Sequence, residues 1–245
     1  SLFATQPAIA ADGTLTFTTA TNANGTATVT IVVRDDGGTA NGGVDNASAT
    51  LLSQFKVVVT PVDDAPALAN INVSGTEDTT LAFTAANFTS AYSTVDGLAN
   101  KPAVSYTIES LPATGTLKLA GVPAAVSQVI AVTSLSGLTY EPVLNANGPV
   151  VFRVSVSDGL LSSPKGNNGA LVTTTLAPVN DAPSAVAQSV TTLEDTAVTI
   201  ALSGTDPDGN SLSVTVVNAP TNGVYSGSVY TPAANYSGPD RITFK

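Results

Sequence analysis

The residues of this 245-residue chain best suited to chemistry are carboxylates placed beside turns. They stand in Asp63-Asp64, Glu77-Asp78-Thr79, Ser157-Asp158-Gly159, Asn180-Asp181 and Asp206-Pro207-Asp208-Gly209. Oxygen donors of this kind suit Ca²⁺, which takes roughly six to eight of them at about 2.3–2.6 Å from carboxylates, Asn and backbone carbonyls. Softer-metal and thiol chemistry is excluded, because the chain has no Cys and no His. That absence removes Ser-His-Asp and Cys-His nucleophiles, thiolate or imidazole metal sites, redox pairs and disulfides. Each motif taken singly has a second reading. Asp-Gly and Asn-Gly provide positive-φ geometry, and Asp or Asn beside Pro closes turns without a metal. Asp35-Asp36-Gly37-Gly38 is read as such a hairpin turn.

Catalysis by carboxylates alone is the remaining enzymatic route, since glycoside hydrolysis needs only two of them. The eighteen acidic residues, however, recur at repeated linker and turn positions, where a catalytic pair should break the pattern. Nor does a Gly-rich phosphate loop open a helix, or a Lys lie in an apolar run where it would form a Schiff base. The expectation is that the chain is not an enzyme. The net charge of −10 also opposes nucleic acid or an anionic membrane as partner, because both need a cationic footprint. The longest apolar runs, such as 121–131, fall far short of the ~20 residues that span a bilayer, so membrane insertion of this segment is not expected. At 43 % hydrophobic the chain has enough apolar material to fold.

The elements that must position these carboxylates come in repeats. Pro61-Val62-Asp63-Asp64-Ala65-Pro66 returns as Pro178-Val179-Asn180-Asp181-Ala182-Pro183, and Glu77-Asp78-Thr79 returns as Glu194-Asp195-Thr196, both at an offset of 117 residues. A third landmark occurs three times, with an aromatic eight residues before a Gly: Phe17 and Gly25, Tyr140 and Gly148, Tyr230 and Gly238. An offset kept at separate landmarks points to duplicated domains. The divisions expected are 1–64, the later part of one repeat; 65–181, a complete repeat; and 182–245, the earlier part of a third.

Within each unit the pattern has period two and is rich in β-branched residues, as in residues 27–33, 150–156 and 213–217, with Gly, Pro, Asn and Asp between runs. That is the signature of antiparallel strands in a sandwich. No stretch of helical period competes, although the Ala-rich patch 81–92 has the composition for a short helical turn. The fold class read from the sequence is all-β: tandem antiparallel β-sandwiches, the first and last incomplete. Phe17, Tyr140, Tyr230 and Tyr236 are read as core and strand-end packing rather than sugar stacking, given 5 % aromatics and no Trp. Asn-x-Ser/Thr matches at Asn24, Asn46, Asn72, Asn87 and Asn235 are read mainly as the chance product of an Asn-, Ser- and Thr-rich composition.

The order Val-Asn-Asp-Ala-Pro, Glu-Asp-Thr, Gly-Thr-Asp-Pro-Asp-Gly-Asn, then Tyr-Thr-Pro-Ala-Ala-Asn-Tyr-Ser-Gly resembles the tandem cadherin-like and immunoglobulin-like repeats of large prokaryotic surface proteins and adhesins. The resemblance implies an extracellular, cell-surface structural or adhesion module, with calcium at the linkers stiffening a spacer. It assigns the second linker's ligands to Glu77, Asp78, Asn180, Asp181, Asp206 and Asp208, and the first linker's to Asp63, Asp64, Asp96 and Asp158. Thr94 stands where a second turn carboxylate is expected before Asp96, so the first site should be the weaker. The partners implied are neighbouring repeats of the same chain. Two other functions stay open: a homo-oligomer or filament that joins through exposed strands, and an accessory domain of a secreted hydrolase. The adhesion ligand is not legible.

Overall fold

The computed structural model describes residues 1–33, 37–43, 54–94 and 101–245. Asp35, Asp36, Asn46 and Asp96 lie outside them. The described chain is all-β; its hairpin-like pairs are antiparallel, whereas Ile71–Thr76 runs beside Ala170–Ala177 in the same direction, with Asn70 at Leu171 and Glu77 at Ala177. It divides into two compact units. The first comprises residues 1–74, 80–141 and 149–175; the second comprises 75–79, 142–148 and 176–245. The complete sequence repeat, 65–181, contributes to both.

The first unit opens with two hairpin-like pairs. Phe3–Ile9 pairs with Leu15–Thr19, with irregular register along its length, and Gly25–Thr30 pairs with Gln54–Val59 in unbroken register from Gly25 opposite Val59 to Thr30 opposite Gln54. Phe17 meets Phe3 edge-on at 5.3 Å between ring centroids, so it packs locally as expected, although it is still 38 % exposed. A four-stranded sheet then runs in the order Val122–Pro123, Thr116–Leu119, Leu138–Glu141, Leu81–Ala82. A five-stranded sheet has the order Val129–Ala131, Ser105–Ser110, Gly148–Ser157, Ala170–Ala177, Ile71–Thr76.

Alternation on these strands aims one set of side chains inward. On Ser105–Ser110 the inward residues are Tyr106 and Ile108, and on Leu138–Glu141 they are Leu138 and Tyr140, all essentially buried. Phe83, beside the four-stranded sheet, meets Phe152 of the five-stranded sheet edge-on at 5.7 Å, and so the two sheets share one core. The Ala-rich patch supplies the expected turn as the helix Ala85–Thr89. Thr84 and Asn87 cap it reciprocally, and Phe88 is driven fully into the core.

The second unit has short strands. Ser184–Ala185 pairs with Gly204–Thr205, Val216–Asn218 with Thr243–Phe244, and Val198–Thr199, Val229–Pro232 and Gly223–Ser226 make a three-stranded sheet. The run expected over 213–217 begins only at Val216, and two short strands, Val198–Thr199 and Gly204–Thr205, precede the Asp206 turn.

One backbone feature joins all three repeats and was not read from the sequence. Asn22, Asn145 and Asn235 each adopt φ of 55–58° three residues before the landmark Gly, and Gly25, Gly148 and Gly238 are also at positive φ. Asn tolerates the left-handed region better than other non-Gly residues. The pattern Asn-x-(Asn/Ser)-Gly is the signal that carries it.

Candidate metal centre

The second unit brings three carboxylates together: one oxygen each from Glu77, Asp181 and Asp208 lies within 4.8 Å of the others. Glu77 follows the strand Ile71–Thr76 and is 1 % exposed. Its N–H donates to the Ala177 carbonyl at 3.0 Å. Its Oε1 accepts the Val179 N–H at 2.8 Å, and its Oε2 accepts a longer bond from Asn147 Nδ2 at 3.4 Å. Those bonds hold a buried carboxylate against the linker, as burial of a charged group requires. Asp78 sits next to it in the left-handed region, φ 58°, and its Oδ1 accepts the Asn145 N–H at 2.7 Å.

The Asp206-Pro207-Asp208-Gly209 motif folds as a tight loop. Asp206 Oδ1 accepts the N–H groups of Asp208 and Asn210 at 3.0 and 3.1 Å, and Gly209, at φ +72°, donates to the Asp206 carbonyl. This geometry turns Asp208 toward the linker, where its Oδ2 accepts the Asp181 N–H at 2.7 Å. Asn210 Nδ2 donates to Asn180 Oδ1 at 2.8 Å, so the Asn180 amide oxygen serves the loop.

Asp181 is the unsettled group of this cluster. Its Oδ2 is buried and meets no hydrogen-bond donor among the described residues. Desolvation raises its carboxyl above the ordinary value, and the like charges of Asp78, Asp208, Glu77 and Asp206 add to the effect. The donor set is all oxygen, and the orphaned Oδ2 wants a positive partner; both fit a hard divalent cation. Of the six ligands assigned to this linker, Glu77, Asp181 and Asp208 converge, the charges of Asp78 and Asp206 act on Asp181, and the Asn180 side chain is engaged by Asn210. Sequence reasoning missed Asn145, Asn147, Asn210 and the Val179 amide.

The first linker is different. Asp63 Oδ1 makes an ion pair with Lys101 Nζ, and the other Asp63 oxygen is buried without a donor among the described residues. Asp158 is 7 % exposed, its Oδ1 accepts the N–H groups of Leu160 and Leu161 at 2.9 and 2.8 Å, and its Oδ2 is buried without a donor among the described residues. Asp64 is half-buried. Asp96 lies outside the described residues. Lys101 was not read as part of this constellation.

Comparison with known proteins adds a family for the last stretch of the chain. Residues 180–245 match the family described as a bacterial Ig domain. The matched stretch contains Asp181, Asp206 and Asp208. No curated protein matches. Among solved structures, an endo-fucoidan hydrolase of glycoside hydrolase family 107 is similar at 17 % identity and TM-score 0.30, and a single-site variant of it at 18 % and 0.28. Each alignment covers 98 % of this chain and 34 % of the other, so the chain spans about a third of the length of those structures. No helix among the described residues is long and apolar enough to cross a membrane.

Proposed function

We propose that Glu77, Asp181 and Asp208 hold a calcium ion, and that the chain is an extracellular structural module: a calcium-stiffened spacer within a prokaryotic cell-surface protein. The observation that carries this reading is Asp181 Oδ2, buried, without a donor and surrounded by four other carboxylates. A bound cation neutralises that crowding. It also ties the linker residue Asp181 to the turn at Glu77 and to the loop at Asp208, which restricts the linker. Asp78 and Asp206 place their neighbours and add negative potential, while the ion supplies only charge. The chain then acts by geometry and not by catalysis, and its partners are the adjoining repeats. The match of residues 180–245 to bacterial Ig domains supports the surface location.

Isothermal titration with calcium, paired with thermal melts in chelator and in millimolar Ca²⁺, tests the proposal. A site of the extracellular type saturates at calcium on the order of 0.1–1 mM and raises the melting temperature, because the ion binds only the folded state. The double change Asp206→Ala and Asp208→Ala removes most of that rise. A flat titration and superimposed melts would show that these carboxylates only close turns.

A further inference from the structure

We propose that the Lys101 ammonium is the resident cation of the first linker, set against Asp63 and Asp158, so that this linker is braced without metal. The two linkers are repeats of one another: Asp63-Asp64 corresponds to Asn180-Asp181. Around Asp181 the charges that act on its carboxyl are all negative. In the first linker Asp63, the counterpart of Asn180, faces a positive charge instead. Lys101 pairs with Asp63 Oδ1, with both side chains about four-fifths buried. Its charge also reaches Asp158, which is more than nine-tenths buried and keeps one oxygen without a donor among the described residues.

The backbone places Lys101 there. Its carbonyl accepts the Tyr92 hydroxyl at 2.7 Å, and three residues on the Val104 N–H donates to Ser157 O at 2.8 Å, beside Asp158. Desolvation alone would raise the Asp158 carboxyl. The bonds from Leu160 and Leu161, together with the Lys101 charge, reverse the sign and hold it below the ordinary value. A divalent ion at the same carboxylates would meet the ammonium as a like charge. One chain thus carries two sequence-matched linkers, one partly compensated by its own side chain and the other open to calcium. The contrast rests on the calcium reading of the second linker; the role of Lys101 does not.

Hydrogen exchange of the full chain, followed at single amides, separates the two. The Leu160 and Leu161 amides, which donate to Asp158, report on the first linker; the Val179 and Asp181 amides, which donate to Glu77 and Asp208, report on the second. In the native chain the first pair exchanges at the same rate in chelator and in millimolar calcium. Lys101→Met, which keeps the side-chain length and removes the charge, accelerates that pair about fivefold, the scale of a partly buried ion pair, and Lys101→Arg does not. Unchanged exchange in Lys101→Met, or a calcium response at Leu160 and Leu161 in the native chain, overturns the proposal. Indifference of Val179 and Asp181 to calcium would instead sink the calcium site and leave Lys101 to be judged on its own amides.

Discussion

Asp78 Oδ1 accepts the backbone N–H of Asn145 at 2.7 Å, across 67 residues of sequence, while both residues are held at positive φ. The next repeat makes the same contact, Asp195 Oδ1 to the Asn235 N–H at 2.9 Å, again with both residues left-handed. The Glu-Asp-Thr turn and the loop before the landmark Gly are thus locked to one another in two repeats. Asn145→Ala or Asn235→Ala forces a Cβ residue into the left-handed region and should cost about 1–2 kcal/mol. Asn145→Gly should cost less, as Gly visits that region freely. Denaturant unfolding of the three variants checks the order.

Replacing the orphaned carboxylate separates repulsion from binding. Asp181→Asn removes the charge that Asp78, Asp208, Glu77 and Asp206 oppose. The melting temperature in chelator should rise, and the further rise on adding calcium should disappear. A variant that melts lower in chelator and still responds to calcium would contradict the cluster's role.

The acid side of the stability curve should show two windows of opposite sign. Asp181 is raised above 3.8, so the folded state binds its proton more tightly than the unfolded chain does, and metal-free stability falls as pH rises through the range above 3.8. Millimolar calcium should flatten that slope. Asp158 and Asp240 behave in reverse. Burial pushes each carboxyl up, but backbone N–H bonds, from Leu160 and Leu161 in one case and from Thr221, Arg241 and Asn222 in the other, outweigh it and lower both. Their contribution is complete above 3.8 and is lost as pH falls through their lowered folded values. Unfolding measured from neutral pH downward, with and without calcium, resolves the two windows.

Gly115 leaves room for an aromatic ring. It sits at φ +67°, and a Cβ there would lie 2.6 Å from the Glu141 carbonyl oxygen and would strike the Tyr140 hydroxyl. Tyr140 is buried and donates to Thr114 O at 3.0 Å, so it has nowhere to move. Gly115→Ala should therefore cost about 2–3 kcal/mol from overpacking and strain together. The equivalent turn in the third repeat has Gly223, where a Cβ would lie 2.6 Å from the Tyr230 ring. Gly223→Ala should destabilise similarly, and thermal melts of both variants check this.

The all-β class, the duplicated linkers, the packing of Tyr140 and the helical turn at Ala85–Thr89 were all legible in the amino-acid order. They depend on local regularities: period-two alternation, turn residues, and an Ala-rich patch, while the Thr84–Asn87 cap came from the structure. That any metal donor here is oxygen, not sulfur or imidazole, was legible too, because the chain has no Cys and no His. Which carboxylates share a space was not. Glu77 meets the Val179 amide across 102 residues, Asp181 meets Asp208 across 27, and Lys101 reaches Asp63 across 38. Two linkers nearly identical in sequence thereby face different partners, Lys101 at Asp63 and the Asp208 carboxylate at Asp181. Neither motif holds that information locally, since the charge each one faces comes from distant chain, brought there by strand register and by the turns that end the strands.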